Sequence, residues 1–174
     1  MLHLRLRRPA PLTIAVIVVV VVSVVRFRGF DFGQSESGRT EVSAVVARVI
    51  DGDTLDLTDG RRIRLLGIDA PERGYDGAAS EPLAEESTDW LTRRLDGHTV
   101  RLQIGTTPTD RYGRTLAWIF DSNGSLVNRD SLEAGMSRLL DSFGLPADLE
   151  PQLRQAAATA RIQKAGIWNR GKAD

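Results

Sequence analysis

The sequence predicts an α+β protein: a five-stranded OB-fold β-barrel (Greek key) with about three packed helices, preceded by an N-terminal hydrophobic helix. Two observations support this fold class. Short segments rich in β-branched residues, several of them alternating with period two, recur between turn signals. One amphipathic helical segment is inserted after the third of these segments. Five strands with one helix after the third are typical of a small Greek-key barrel.

The predicted elements follow one another closely from residue 42 onward. We predict strands at residues 42–50, 54–57, 62–68, 99–104 and 114–120. We predict helices at residues 83–95, 128–135 and 151–165. Asp59 and Gly60 mark a tight hairpin between the second and third strands. Residues 73–82 contain several chain breakers, residues 106–113 are polar, and both are predicted to be loops.

The start of the chain is predicted to lie outside this barrel domain. Residues 1–28 join a basic segment to an apolar run, Leu12 to Val25, which predicts a signal anchor or a signal peptide. The run would span roughly 21 Å as a helix, less than the ~30 Å hydrocarbon core of a bilayer. An uncleaved anchor, a cleaved signal and a buried core helix all stay open, although the run lacks a polar face.

Either a signal or an anchor would export the domain, so an extracytoplasmic protein is predicted, secreted or held at the membrane with its N-terminus inside. Residues 29–40 are rich in Gly and Ser and predict a flexible linker. Residues 41–170 are predicted to form the barrel domain, which is expected to be monomeric.

Composition and charge narrow the class of function. The chain has no Cys, so disulfides and thiolate metal sites are excluded. Residues 1–40 carry six Arg against two acidic residues, a net +4, and residues 41–174 carry 17 basic against 21 acidic residues, a net −4. A mildly acidic domain argues against a protein that coats nucleic acid non-specifically. It leaves room for an enzyme with a local cationic cleft.

Four acidic residues gather around the second and third predicted strands: Asp51, Asp53, Asp69 and Glu72. Each aspartate alone would be ordinary in a turn. Asp69 and Glu72, however, follow a strand that neighbours the turn carrying the other two, and converging carboxylates repel one another without a cation. Oxygen ligands of this kind suit Ca²⁺ or Mg²⁺. His3 and His98 lie far from the cluster in sequence, which argues against zinc.

Two arginines complete the pattern that phosphoryl chemistry requires. Period-two alternation places Arg64 on the opposite face of its strand from Ile63 and Leu65. Arg114 begins the fifth predicted strand. A planar guanidinium binds phosphate through two donors and offsets the charge that grows in the transition state. Either arginine alone would be unremarkable in a chain with 21 Arg.

Three sequence blocks carry a family resemblance: DGDT at 51–54, IRLLGIDAPE at 63–72 and DRYGRTLAWI at 110–119. In this order and spacing, the chain resembles the staphylococcal nuclease (thermonuclease) family over residues 42–168. The resemblance implies an OB-type barrel and a Ca²⁺-dependent phosphodiesterase that acts on DNA and RNA. It also implies cleavage of the 5′ P–O bond, which leaves 3′-phosphate ends.

The resemblance further implies a role for each residue of the cluster. Asp53, Asp69 and the backbone carbonyl of Ala70 would hold the Ca²⁺. Asp51 would act on the ion through water.

On the substrate side, the resemblance implies that Glu72 orients or deprotonates the attacking water. Arg64 and Arg114 would bind the scissile phosphate. Arg111, Tyr112 and Tyr75 are candidates for contacting nucleic acid through phosphate or base stacking; the alternative for each is an ordinary surface loop.

The chain departs from the family pattern at three positions. Ala70 stands where the type member has Thr, which is harmless if only the carbonyl binds the ion. Asp141 and Phe143 stand where the type member has two tyrosines in its nucleotide pocket. Two other functions stay open: a catalytically silent OB module that binds nucleic acid or protein, and a membrane-anchored Ca²⁺-binding structural domain. Neither would need the full set of acids and arginines.

Overall fold

The computed structural model describes residues 39–74 and 76–169, with the side chain of residue 106 excepted. In these residues five strands form a closed barrel in the order β1-β2-β3-β6-β5. The barrel strands are β1 Thr40–Val49, β2 Thr54–Leu57, β3 Arg62–Leu65, β5 Thr99–Thr109 and β6 Thr115–Phe120. A separate two-stranded sheet pairs β4 Ile68–Asp69 with β7 Arg138–Leu139. The predicted barrel is therefore confirmed.

The three helices of the described residues are α1 Ala84–Leu95, α2 Val127–Glu133 and α3 Glu150–Gln163. A short 3₁₀ turn, Gly166–Trp168, follows α3. The helix α1 buries Leu91 and Leu95 against the barrel, and its first turn carries acidic residues, which the helix dipole favours. All three helices lie within about two residues of the predicted ranges.

The third predicted strand, residues 62–68, is wrong as a single element. It breaks after Leu65, because Gly67 has a φ of +71°, a left-handed conformation that ends the regular pleat. A Cβ on Gly67 would lie 2.5 Å from the Trp118 ring, so glycine is also required sterically. The turn sends β4 away from the barrel to pair with β7.

The fourth predicted strand was too short. β5 continues beyond residue 104 to Thr109, which pairs with Thr115, with an irregular register between Ile104 and Thr109. Pro108 does not end the strand. The predicted loop 106–113 is therefore the tight turn Asp110–Arg114, which the backbone N–H of Asp110 closes by donating to the Arg114 carbonyl (3.0 Å).

The barrel core forms because β2 and β3 alternate as predicted. Leu55, Ile63 and Leu65 are fully buried, whereas Arg62 and Arg64 of β3 face outward. Asn128 of α2 is buried and fastens the turn after β3: its Nδ2 donates to the Leu66 carbonyl (2.8 Å). The same side chain accepts a hydrogen bond from the Ile119 N–H (2.9 Å). These bonds fix the segment that carries the predicted site to the rest of the fold.

The predicted N-terminal helix at 1–28 and most of the predicted linker lie outside the described residues. Among the residues that the structure does describe, no helix has the length and apolar character needed to cross a membrane.

Candidate active site

The candidate site begins at the pairing of β3 with its two neighbours. Antiparallel pairing with β2 sets Arg64 opposite Thr54, so Asp53, immediately before β2, lies beside Arg64. Parallel pairing with β6 sets Arg64 opposite Leu116, two residues after Arg114. Sequence segments that are far apart thereby meet on one outer face of the barrel.

Arg64 bridges two of the predicted acids. Its Nη2 lies 3.0 Å from an Asp53 carboxylate oxygen and 3.2 Å from an Asp69 carboxylate oxygen. Its Nη1 donates to the carbonyls of Leu65 and Ile68, both at 2.8 Å. Most donors of Arg64 are therefore directed at the protein, and they hold β3, β4 and the two carboxylates together.

Asp53 is the most deeply buried acid of the group, at 4% exposure. Its carboxylate accepts hydrogen bonds from Thr54 Oγ1 (3.0 Å) and from the Ala70 N–H (2.9 Å). Burial raises the pKa of Asp53 to about 7, because the stabilising charge of Arg64 does not offset burial and the nearby charge of Asp51. This site holds more negative charge than its own cation compensates.

Asp51 and Glu72 extend this acidic group. An Asp51 carboxylate oxygen accepts the Asp53 N–H at 3.0 Å. Burial raises the pKa of Glu72, and the charges of Asp51 and Asp69 raise it further. The structure thus brings the four predicted acids together. Glu81, which sequence reasoning missed, also raises the Glu72 pKa.

Gly52 explains why the two aspartates of the DGD turn are separated by glycine. A Cβ at this position would lie 2.0 Å from Ser87 Oγ and 2.6 Å from the Ala70 Cβ. The turn therefore packs directly on α1 and on the residue that follows Asp69. This close approach sets the position of Asp51 and Asp53.

Arg114 is oriented by Asp110, a second residue that sequence reasoning missed. Asp110 accepts from Arg114 Nε (2.7 Å) and from the Arg114 N–H (3.0 Å). Although burial alone would raise it, the pKa of Asp110 is lowered, because these bonds and the Tyr112 N–H outweigh burial. The spacing Asp-x-x-x-Arg around a tight turn was the available signal. In the part of the chain that the structure describes, Arg114 Nη1 and Nη2 make no hydrogen bond.

The other predicted contacts fall at different places. Tyr112 is 68% exposed, and its ring lies 4.8 Å from the Arg111 guanidinium and 5.5 Å from that of Arg114. Phe143 is 88% exposed. Tyr75 lies outside the described residues.

The residues present fit a hard divalent cation by their chemistry. Within residues 39–74 and 76–169, no three Asp, Glu, His or Cys side chains form a ready-made metal site. The available donors are nevertheless all oxygens, and Asp53 and Asp69 already converge on a single nitrogen of Arg64. The raised pKa values of Asp53 and Glu72 show that added positive charge would stabilise this group.

Comparison with known proteins gives one consistent family. The family model described as staphylococcal nuclease homologue matches residues 62–170. A thermonuclease of Staphylococcus hyicus is 32% identical over 137 residues, which cover 76% of this chain and 79% of that protein. A thermonuclease of Staphylococcus intermedius is 32% identical over 143 residues, covering 80% and 83%. An uncharacterized endonuclease of Escherichia coli is 33% identical over 132 residues, covering 74% and 78%. The chain therefore belongs to the staphylococcal nuclease family.

Proposed function

We propose that the protein is a nuclease that hydrolyses phosphodiester bonds of DNA and RNA with the help of Ca²⁺. The observation that carries this proposal is the acidic group around Arg64, on the barrel face where Arg114 leads into β6. The thermonuclease and endonuclease relatives support a hydrolase of this class.

Asp53 and Asp69 would hold the cation, with the Ala70 carbonyl as a further oxygen and Asp51 acting through water. When bound, a divalent cation activates water and withdraws charge from the phosphate. Cation binding would also offset the burial, and the nearby charge of Asp51, that raise the pKa of Asp53. Hard oxygen donors favour Ca²⁺ or Mg²⁺ over zinc.

Glu72 would act as the general base. Its pKa is raised by burial, which makes its carboxylate a stronger base than that of an ordinary glutamate. Glu72 would take the proton of the attacking water as the water oxygen bonds to phosphorus. The bond from phosphorus to the 5′ oxygen would then break, and the departing 5′ oxygen would take a proton from solvent, which leaves a 3′-phosphate and a 5′-hydroxyl.

Arg114 would bind the scissile phosphate, because its Nε donates to Asp110 and its Nη1 and Nη2 stay available for the phosphate. Arg64 would contribute positive charge beside the same phosphate. Its Nη groups are directed at protein oxygens, so phosphate would reach it through Nε or after Asp69, which is 49% exposed, turns to the cation.

The setting of this activity is part of the proposal. The apolar run Leu12 to Val25 supports export, either with a membrane anchor or as a secreted protein. Outside the cell, Ca²⁺ is abundant enough for weak oxygen sites to fill. We propose a monomeric domain.

The test is hydrolysis of single-stranded DNA by the full chain with Ca²⁺, then with excess EDTA. The rate of DNA hydrolysis should fall by a factor of about 10² or more after chelation and return when Ca²⁺ is restored. The products should carry 3′-phosphates that a phosphatase can remove. Unchanged rates in EDTA would contradict the cation, and absence of hydrolysis with any divalent ion would favour the silent binding module.

A further inference from the structure

A row of charged side chains crosses the outside of the barrel beside the Asp110–Arg114 turn. The strand register places Arg48 of β1 opposite Asp56 of β2, and Asp56 opposite Arg62 of β3. Asp56 accepts hydrogen bonds from Arg62 Nε (2.7 Å) and Arg48 Nη2 (2.8 Å). In the parallel pairing of β3 with β6, Ile63 lies opposite Thr115. Arg62 and Arg114 are the residues immediately before this pair. The row therefore runs toward Arg114.

These side chains line an open cleft of about 450 Å³, together with Tyr112. A volume of this size lies within the range of small-ligand sites, roughly 300–1,000 Å³. Arg48, Arg62 and Arg114 against Asp56 give the lining a net charge of +2. Asp110, which pairs with Arg114, reduces the local excess to +1. The cleft is thus cationic on a domain whose net charge is −4.

Asp56 organises the cleft rather than closing it. Hydrogen bonds from Arg62, then from Arg48, lower the pKa of Asp56, so it stays ionised and holds both guanidinium groups. Arg48 donates to Asp56 through Nε and Nη2 and is 66% exposed. A guanidinium has five N–H donors, so its outer edge can also contact an anion.

We propose that this Arg48 cleft, defined by Arg48, Asp56, Arg62 and Tyr112, binds the backbone of a single nucleic-acid strand adjacent to the scissile phosphate. The inference rests on the proposed function. Arg62 and Arg64 share one face of β3, roughly 6.6 Å apart. A strand whose scissile phosphate lies at Arg64 would therefore present its next phosphates to Arg62 and Arg48.

A nucleic acid fits this cleft better than an acidic peptide for two reasons. The exposed ring of Tyr112 offers a stacking surface, which a base can use whatever its sequence. The cleft is also continuous with Arg114, the proposed phosphate ligand. Arg48 and Arg62 would then raise affinity for longer substrates without touching the reacting atoms.

The test compares two substrates with the full chain: an oligonucleotide of about 12 nucleotides and a dinucleotide too short to reach Arg48. Arg48→Ala should raise KM for the oligonucleotide about tenfold and lower the salt dependence of binding by about one unit of slope. The kcat for the oligonucleotide and both constants for the dinucleotide should change by less than about twofold. Arg48→Lys, which keeps the charge, should recover most of the loss.

Arg61→Ala is the matched control, because Arg61 lies in the same hairpin, is paired with Asp59, and does not line the cleft. It should leave both substrates unaffected. If wild-type protein cleaves DNA but Arg48→Ala matches Arg61→Ala, the cleft proposal is wrong and the nuclease stands. An equal loss on the dinucleotide would also overturn it. If the wild type cleaves neither substrate, the proposed function fails and the cleft proposal fails with it.

Discussion

Within the described part of the chain, two arginines each bridge two aspartates, and the two groups differ in the pKa of an aspartate that the arginine contacts. Arg64 joins Asp53 and Asp69 on the barrel face. Arg94 of α1 joins Asp121, at 2.9 Å, and Asp130, while the Trp90 ring lies 5.5 Å from its guanidinium. Residue types and contacts alone do not separate a reactive group from a scaffold.

The pKa values separate them. Although burial alone would raise it, the pKa of Asp121 is lowered, because the Ser125 N–H and Arg94 outweigh burial. The pKa of Asp53 is instead raised to about 7 by burial, despite Arg64. Arg94 and the hydrogen bonds of Asp121 therefore offset the burial of Asp121, whereas Arg64 does not offset the burial of Asp53. A carboxylate whose burial is not offset has the kind of perturbed pKa that is associated with functional sites, so this difference supports the proposed function at the Arg64 group.

Glu72→Gln should sharpen this contrast most. It removes the proposed base with almost no change of shape, so kcat on single-stranded DNA should fall by about 10² or more. Stability should be retained, because the substitution also removes repulsion from Asp51 and Asp69. Steady-state kinetics measure kcat, and thermal unfolding in EDTA measures stability. A rate near that of wild type would exclude Glu72 as the base.

Arg94→Ala should produce the opposite result. It leaves Asp121 and Asp130 without their shared cation, so the free energy of unfolding should fall by about 2 kcal/mol. The folded fraction should keep the wild-type kcat, because Arg94 has no contact with the acidic group in the described residues. Urea unfolding and activity per folded molecule check this. A large loss of kcat in fully folded protein would contradict a purely structural role for the Arg94 group.

Asp53→Asn should change stability in a pH-dependent way, with a definite sign. The folded-state pKa of about 7 exceeds the ordinary value of 3.8, so the folded state binds this proton more tightly. The stability that this proton binding gives the folded state is fully present below pH 4 and is lost as pH rises from 4 to 7. In EDTA the variant should therefore be more stable than the wild type at pH 8 and differ little from it at pH 4.

Chemical denaturation in EDTA at the two pH values gives the measurement, with Asp121→Asn as the control. Asp121 has a lowered pKa, so its substitution should destabilise at pH 8. Equal behaviour of the two variants would contradict the charge imbalance at Asp53.

The barrel was predictable because alternation in β2 and β3 specifies which side chains face inward. The same alternation placed Arg64 outward and brought it near Asp53 through the hairpin. The break at Gly67 was not predictable, because IRLLGID continues a strand-like pattern and the close approach of the Trp118 ring to Gly67 is visible only in the folded structure. Extension of β5 past Pro108 likewise depends on its pairing with β6.

The candidate site was predictable in its members but not in its bonding. Clustering of Asp51, Asp53, Asp69 and Glu72 follows from strand exits that meet. That Arg64 also donates to two backbone carbonyls depends on where the chain turns after β3. Asp110 was overlooked because an aspartate in a turn is ordinary until its partner Arg114 is located in space.

The parallel pairing of β3 with β6 has a consequence for when this protein becomes active. Both α1 and β5 lie between the two strands in the chain, so their contact closes a long loop, which is costly in entropy and slow to form. Until that closure, the acids and Arg114 belong to separate pieces of chain. On the proposed function, catalytic competence therefore depends on completed folding, and we expect a partly folded molecule not to cleave nucleic acid.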